Sequence, residues 1–285
     1  MYAVSFSPNG RNVASTSLDR TVRVWLTGGN SENITVGRHD MAGSDVLWLK
    51  DDWVASSSLD RTVRVWSYPK GECMNTFELD GFALCLAVDE QHILYSGTAS
   101  GQLYSLDART SVAVAMWKGE AGINAVAIMP GPPHILVGDA KGRLSTIDTR
   151  THRLISEIGV SDTSDSKPIS GVSCSTSVVA CNSYDSVLRV YDATSQTLLH
   201  SLRGHHNRNW PIRSVLFSVG SSVYVASGSA SHSAYLYGPL QTEGHAPSLV
   251  QKLKGHSGNV YAIDVYRDLM ATCSADATVR LWKKN

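Results

Sequence analysis

The chain has 285 residues, 42% of them hydrophobic, and its 25 basic and 25 acidic side chains cancel. A domain that grips a nucleic-acid backbone shows a basic surplus or a basic stripe, so this balance argues against nucleic acid and against a polybasic membrane surface. No run approaches the roughly 18 apolar residues that cross a bilayer, and the opening MYAVSFSPNG has no charged region followed by an apolar core.

Taken in order, the elements repeat. YAVSF alternates as a first strand, NVAST is small and apolar as a second, a turn carrying Asp19 follows, and TVRVW ends a third strand at Trp25. The same pattern, SSSLDRTVRVW, ends at Trp66, 41 residues later. It continues through TASGQLYSL to Leu106, DAKGRLSTI to Ile147, NSYDSVLRVY to Tyr191, SASHSAYLY to Tyr237 and CSADATVRLW to Trp282. Looser fourth strands, such as CMNTF, LLHSL and LVQKL, precede the next unit. A period of about 40–45 residues with four short strands per unit predicts a propeller. The expected fold is all-β: a single seven-bladed β-propeller over residues 1–285, without helices, in which blades bury their faces against one another. The five cysteines are odd in number, lack C-x-x-C spacing and fall in predicted strands, which fits reduced thiols in a cytoplasmic or nuclear protein.

On these residues the chain resembles the WD-repeat family along its whole length. The family pairs a Gly-His before the first strand with an Asp in the second turn and a Trp closing the third strand. Gly255-His256, Ser274, Asp276 and Trp282 match in full, and blade 2 offers His39, Ser58, Asp60 and Trp66, with Arg38 between Gly37 and His39. The resemblance implies that each set is a structural hydrogen-bond chain within a blade. Blade 1 has Ser17, Asp19 and Trp25; blade 5 has Ser183, Asp185 and Tyr191 without a histidine; blade 6 keeps Gly204-His205 but has Ser231 at the Asp position. In blades 3 and 4 only Asp107 and Asp148, after the third strand, hold the register.

The family closes its ring by letting an N-terminal segment supply the outer strand of the last blade. Met1 aligns with Val260 at the start of a first strand, so six outer strands are expected for seven blades. The last blade is therefore expected to have three strands and an open edge, and the chain to be a fragment or truncated form.

No H-E-x-x-H, phosphate-loop, G-x-S-x-G or paired-cysteine motif is present, so neither an enzyme activity nor a cofactor or metal site is expected. The resemblance instead implies a scaffold that binds peptides or proteins, as a member of a larger complex. In the family one face of the disc binds partners through residues at the start of the first strand and just before the turn Asp. Here the first set is Tyr2, Ser44, Leu84, Asn124, Ser170, Arg213 and Tyr261; the second includes Leu18, Leu59 and Tyr184. Tyr and Arg are frequent hot-spot residues, and the blade 6 insertion NRNWPIR adds Arg208 and Trp210. The expected binding set is thus Tyr2, Leu18, Leu59, Tyr184, Arg208, Trp210, Arg213 and Tyr261. A second expectation rests on Leu106-Asp107-Ala108-Arg109 and Ile147-Asp148-Thr149-Arg150. They resemble the W-D-x-R turns through which substrate receptors dock on cullin–RING ubiquitin ligase adaptors, with Arg109 and Arg150 as the contacts, although both Trp positions are aliphatic. The polar loop SDTSDSKP, residues 161–168, is a long connection open to modification.

Overall fold

The computed structural model describes residues 1–28, 33–160, 166–240 and 247–283. All regular structure there is β, in seven antiparallel sheets whose strands lie side by side in chain order. Blade 1 is β1 (Ala3–Phe6), β2 (Asn12–Thr16), β3 (Thr21–Leu26) and β4 (Asn33–Arg38). Blade 2 is β5 (Gly43–Lys50), β6 (Trp53–Ser58), β7 (Thr62–Ser67) and β8 (Glu72–Glu78). Blade 3 is β9 (Ala83–Val88), β10 (Ile93–Thr98), β11 (Gln102–Asp107) and β12 (Val112–Lys118). Blade 4 is β13 (Ile123–Ile128), β14 (His134–Asp139), β15 (Arg143–Asp148) and β16 (Leu154–Gly159). Blade 5 is β17 (Ile169–Cys174), β18 (Val178–Ser183), β19 (Leu188–Asp192) and β20 (Leu198–Leu202). Blade 6 is β21 (Ser214–Val219), β22 (Ser222–Ser227), β23 (Ser233–Gly238) and β24 (Ser248–Lys254). Blade 7 has only β25 (Val260–Tyr266), β26 (Leu269–Ser274) and β27 (Val279–Lys283), the three-stranded last blade expected from the repeat count.

The core is divided in seven, one cluster for each interface between neighbouring blades. Val22, Val24, Val46 and Trp48 join blades 1 and 2, and Leu103, Ile123, Val137 and Ile147 join blades 3 and 4. Small and β-branched residues on the second strands, such as Val13-Ala14 and Val54-Ala55, let the sheets approach closely, so few large aromatics are needed. The smallest clusters are the two that flank blade 7.

The turns between second and third strands repeat a single backbone device. Arg20, Arg61, Gly101, Gly142, Ser186, His232 and Ala277 occupy the same place, each with φ between 60° and 87°. Five of the seven carry a side chain in this left-handed region, which costs roughly 1–2 kcal/mol per residue. Where Asp stands just before, its carboxylate offsets that strain by accepting the amide on the far side. Asp19 takes Thr21 N–H at 3.0 Å, Asp60 takes Thr62 N–H at 2.9 Å and Asp276 takes Thr278 N–H at 3.0 Å.

Antiparallel order puts the second-to-third turns and the blade-to-blade loops on one face of the disc, here the upper face. The first-to-second and third-to-fourth turns lie on the lower face. Blades 7 and 1 meet by face packing of Val4, Phe6, Ala262 and Cys273. The Met1 amino group donates to Ser274 O at 3.1 Å, and Asp264 accepts Phe6 N–H at 2.7 Å. Burial pushes Asp264 up to about 6, despite that amide and the Val265 N–H it also accepts.

Candidate protein-interaction site

The polar chains inside blades 2 and 7 come first, because they fix the turns that carry the upper face. In blade 2 the Trp66 indole N–H donates to Ser56 Oγ at 2.8 Å, and Ser56 Oγ lies 2.7 Å from His39 Nε2. His39 Nδ1 lies 3.0 Å from Asp60 Oδ2. In blade 7 the sequence is Trp282, Thr272, His256 and Asp276, each step 2.8 Å. This corrects the sequence expectation at one position in each blade. The hydroxyl in the chain belongs to Ser56 and Thr272, not to Ser58 and Ser274. Ser58 instead donates to Ala42 O and accepts Asp60 N–H; Ser274 accepts Asp276 N–H. The reason is register: the hydroxyl within reach of an indole N–H stands ten residues before the Trp, as Ser15 does for Trp25 in blade 1.

Burial lowers the pKa of His39 and of His256 more than their aspartates raise it, so both imidazoles are neutral near pH 7. Burial alone would raise Asp60, but hydrogen bonds from Thr62, the Asp40 N–H and His39 hold it at about 2. The directions then agree along the chain: Trp N–H to Ser, Ser O–H to Nε2, and Nδ1–H to carboxylate. Gly37 belongs to the same construction, because a Cβ there would stand 2.4 Å from the Trp66 ring.

Blade 6 lacks the Asp, and His205 turns to blade 5. Asn182 donates through Nδ2 to Ser227 Oγ at 2.9 Å, so its Oδ1 accepts from His205 Nε2 at 3.0 Å. His205 Nδ1 is buried without a partner, and burial drives the imidazole pKa down to about 4. The unfolded chain takes up this proton below pH 6.5, whereas the folded chain refuses it until about pH 4. The stability His205 contributes above pH 6.5 is therefore lost as pH falls through that window, up to roughly 3 kcal/mol at about 1.4 kcal/mol per pH unit. An NMR titration is expected to find the His205 ring unprotonated at pH 5; a midpoint above 6 would refute this.

The expected binding ring divides in two. First-strand positions stitch blades together around the central channel. Asn124 Nδ2 donates to Ile169 O at 3.0 Å, and Ser170 Oγ donates to Ile212 O at 2.7 Å. Arg213 crosses the channel from blade 6 to blade 2. Its Nη1 makes an ion pair with Asp45, and its Nη2 donates to Ser44 O at 3.2 Å and Leu84 O at 3.4 Å. Asp45 also accepts the Leu86 N–H of blade 3 at 2.7 Å. Arg213 thus points into the disc rather than out of its face, a correction that follows from a buried carboxylate waiting opposite. Tyr261 is corrected too: it is only 5% exposed, with ring centroids of Tyr2 at 5.3 Å and Trp210 at 5.7 Å.

The turn positions behave otherwise. Leu18 is 65% exposed and Trp210 41%, while Tyr2 and Leu59 are half-buried. Two apolar residues that the motif alignment missed join them: Met41 at 45% and Phe82 at 46%, both in loops between blades. Their neighbourhood is set by backbone bonds. Gly43 N–H donates to Ser17 O at 3.1 Å, Leu59 N–H to Ala42 O at 3.0 Å and Ala99 N–H to Phe82 O at 2.9 Å. Leu18, Met41, Leu59 and Phe82 therefore follow one another across the upper face of blades 1 to 3. Between blades 5 and 6, Tyr184 and Arg208 line a depression of about 520 Å³ with Lys167, Pro168, Asp185 and Asn209. Only residues 166–168 of the loop beside it fall within the described residues.

Arg109 and Arg150 lie on the lower face. Asp107 accepts Arg109 N–H at 2.9 Å and binds the same guanidinium at 3.0 Å; Asp148 accepts the N–H groups of Arg150 and Thr151. These are Asp-capped turns, with the Arg109 head group outside and drawn back onto its own Asp.

Comparison with known proteins agrees with this geometry. The family described as WD domain, G-beta repeat matches residues 1–25, 39–67, 196–237 and 247–283. The WD repeat-containing protein 26 homolog of Drosophila melanogaster is 26% identical over 294 residues, covering 97% of this chain and 45% of that protein. The homolog of the same name from Arabidopsis thaliana is 24% identical over 299 residues, covering 99% and 48%. The chain spans about half the length of these curated relatives. Among the described residues no helix is long and apolar enough to cross a membrane. Seven blades in one register, two complete His–Asp–Trp chains and the matching family description lead to one assignment: the chain folds as a WD40-type β-propeller.

Proposed function

We propose that the protein is a non-catalytic scaffold that binds peptide or protein partners on its upper face, within a larger assembly. The observation that carries this reading is the run Leu18, Met41, Leu59 and Phe82, joined by Tyr2 of blade 1 and by Trp210 of the loop between blades 5 and 6, which both lie against Tyr261. Apolar side chains exposed on hairpin turns, as Leu18 and Leu59 are, and on short loops tied to those turns by backbone hydrogen bonds, as Met41 and Phe82 are, are poor core and good contact surface, because they bury area on binding at little ordering cost. The depression holding Tyr184 and Arg208 supplies a polar and aromatic pocket on the same face.

The test uses the whole chain. Leu18→Glu with Phe82→Glu is expected to leave the melting temperature within a few degrees, since both side chains already face water. The same pair is expected to weaken partner capture more than tenfold, as loss of hot-spot contacts of about 2 kcal/mol does. An unchanged partner set would sink the reading. Arg109→Ala with Arg150→Ala, in parallel, tests the lower face: selective loss of a cullin–RING adaptor would make the protein a ligase substrate receptor.

A further inference from the structure

Blades 1 and 2 carry the same nine residues, Ser-Leu-Asp-Arg-Thr-Val-Arg-Val-Trp, at 17–25 and at 58–66. The fold requires part of that identity: the Asp closes the turn, and Val22, Val24 and Trp66 pack between the blades. Two of the positions it does not require. Just before the turn Asp position, blades 3, 4, 6 and 7 have Ala99, Ala140, Ala230 and Ala275, whereas blades 1 and 2 have Leu18 and Leu59. At the left-handed residue, blades 3 and 4 have Gly101 and Gly142, which adopt that backbone without strain. Blades 1 and 2 have Arg20 at φ 72° and Arg61 at φ 67°.

An exposed leucine and a strained arginine both work against stability, so their coincidence in two adjacent blades points to a use at the surface. The charges agree. The second arginine of each repeat is engaged inside its own blade or turn: Arg23 pairs with Asp19 at 3.1 Å, and Arg64 with Asp40 at 2.8 Å. The turn arginines are not engaged. Arg20 and Arg61 are exposed, and among the described residues neither guanidinium makes an ion pair or a hydrogen bond; only their backbones do. The exposed Arg38 lies beside them, with Nη1 3.4 Å from Asp19 O. The acids around these two turns are all taken, Asp60 by His39 and Thr62, Asp19 and Asp40 by Arg23 and Arg64. The exposed acids Glu78 and Asp80 stand at the other end of the apolar row, beside Phe82.

We propose, on the footing of the upper-face contact surface described above, that the turns of blades 1 and 2 receive an acidic, apolar segment of a partner protein. Its apolar side chains seat on Leu18 and Leu59, and its Asp or Glu carboxylates pair with Arg20 and Arg61. A guanidinium beside an apolar contact suits a carboxylate, because it offers two parallel donors in a fixed fork. The repeat makes two like subsites one blade apart, so the segment carries its apolar and acidic unit twice. Glu78 and Asp80 turn its uncharged end toward Phe82.

The probe is a fluorescein-labelled peptide, EELFEELFEE, with QQLFQQLFQQ as its uncharged counterpart. The acidic peptide is expected to bind the 285-residue chain at least tenfold more tightly than the amide, with an affinity that falls as salt rises. Arg20→Gly with Arg61→Gly is expected to remove that preference without lowering the melting temperature, because Gly already holds this place in blades 3 and 4. Should the glycine pair melt several degrees lower, Arg20→Gln with Arg61→Gln gives the binding result with the side-chain length kept. Equal affinity for the two peptides would overturn the proposal, as would no anisotropy change with the acidic peptide up to millimolar, or a preference that survives loss of both guanidiniums. Binding only with phosphoserine in place of Glu would also overturn it, because the recognised group would then be a phosphate. An indifferent arginine pair, with partner capture still weakened by Leu18→Glu and Phe82→Glu, removes only this proposal. Capture unaffected by Leu18→Glu and Phe82→Glu removes the contact surface itself.

Discussion

Asp60→Ala is expected to lower the unfolding free energy by about 3 kcal/mol, the upper part of the range for a buried, charge-assisted hydrogen-bond partner. The carboxylate receives His39 Nδ1, the Asp40 N–H, and the N–H and hydroxyl of Thr62, and it lies 3.6 Å from Arg64 Nη2. Alanine removes the acceptor those donors share and leaves the buried His39 Nδ1–H only the Thr62 hydroxyl, at 3.3 Å. Blade 1 is the internal control. Asp19 makes the same turn bonds but meets no histidine, and its side chain is half exposed. Asp19→Ala is expected to cost only about 1 kcal/mol, as for a lost turn or cap bond. Urea unfolding of both variants measures the difference. Equal losses would mean that the histidine adds nothing to the turn. Ser56→Ala and Ser58→Ala separate the chain further, because only the first removes the hydroxyl shared by Trp66 and His39.

Arg213→Ala is the second large effect, about 3 kcal/mol, because it strands a buried charge on Asp45. Arg213→Lys is expected to recover little of it. The guanidinium serves Asp45 with one nitrogen and the carbonyls of Ser44 and Leu84 with the other, a fork that an ammonium cannot reproduce. Replacing both partners, as Asp45→Asn with Arg213→Met, is expected to lose less than Arg213→Ala alone, since no unpaired charge remains. A double-mutant cycle by urea unfolding reads the coupling directly. Additive losses would show that the two side chains act independently.

Much of this architecture could be read before any coordinates. The repeat of a small apolar strand, a tight turn and a third strand located all seven blades, including blades 3 and 4, which close on Leu106 and Ile147 in place of Trp or Tyr, and the count of outer strands located the three-stranded one. The hydroxyl of the polar chain was misplaced because Ser56 and Ser58 alternate on one strand and both are buried; only the indole tells them apart. A ten-residue step from Ser or Thr to Trp, seen at Ser15, Ser56 and Thr272, was the available signal. Arg213 was misjudged for a different reason. Its partner is 168 residues away across the channel, and no local pattern ties a first-strand arginine to a distant Asp45. Met41 and Phe82 escaped notice because they sit in inter-blade loops, where the repeat imposes no residue type.

The contact between Asp45 and Arg213 also alters how the disc comes apart. In a stack of repeats each unit touches only its neighbours, and disorder spreads inward from a free end. Here blades 2 and 6, which are not neighbours, are joined across the middle, so the circle becomes two closed arcs. One holds blades 2 to 6; the other runs from blade 6 through blades 7 and 1 to blade 2. Fraying that begins at the weakly covered blade 7 is confined to the shorter arc. The longer arc keeps its closing contact, so amides of blades 7 and 1 are expected to exchange before those of blades 2 to 6, a difference that hydrogen exchange measures and that Arg213→Ala is expected to erase.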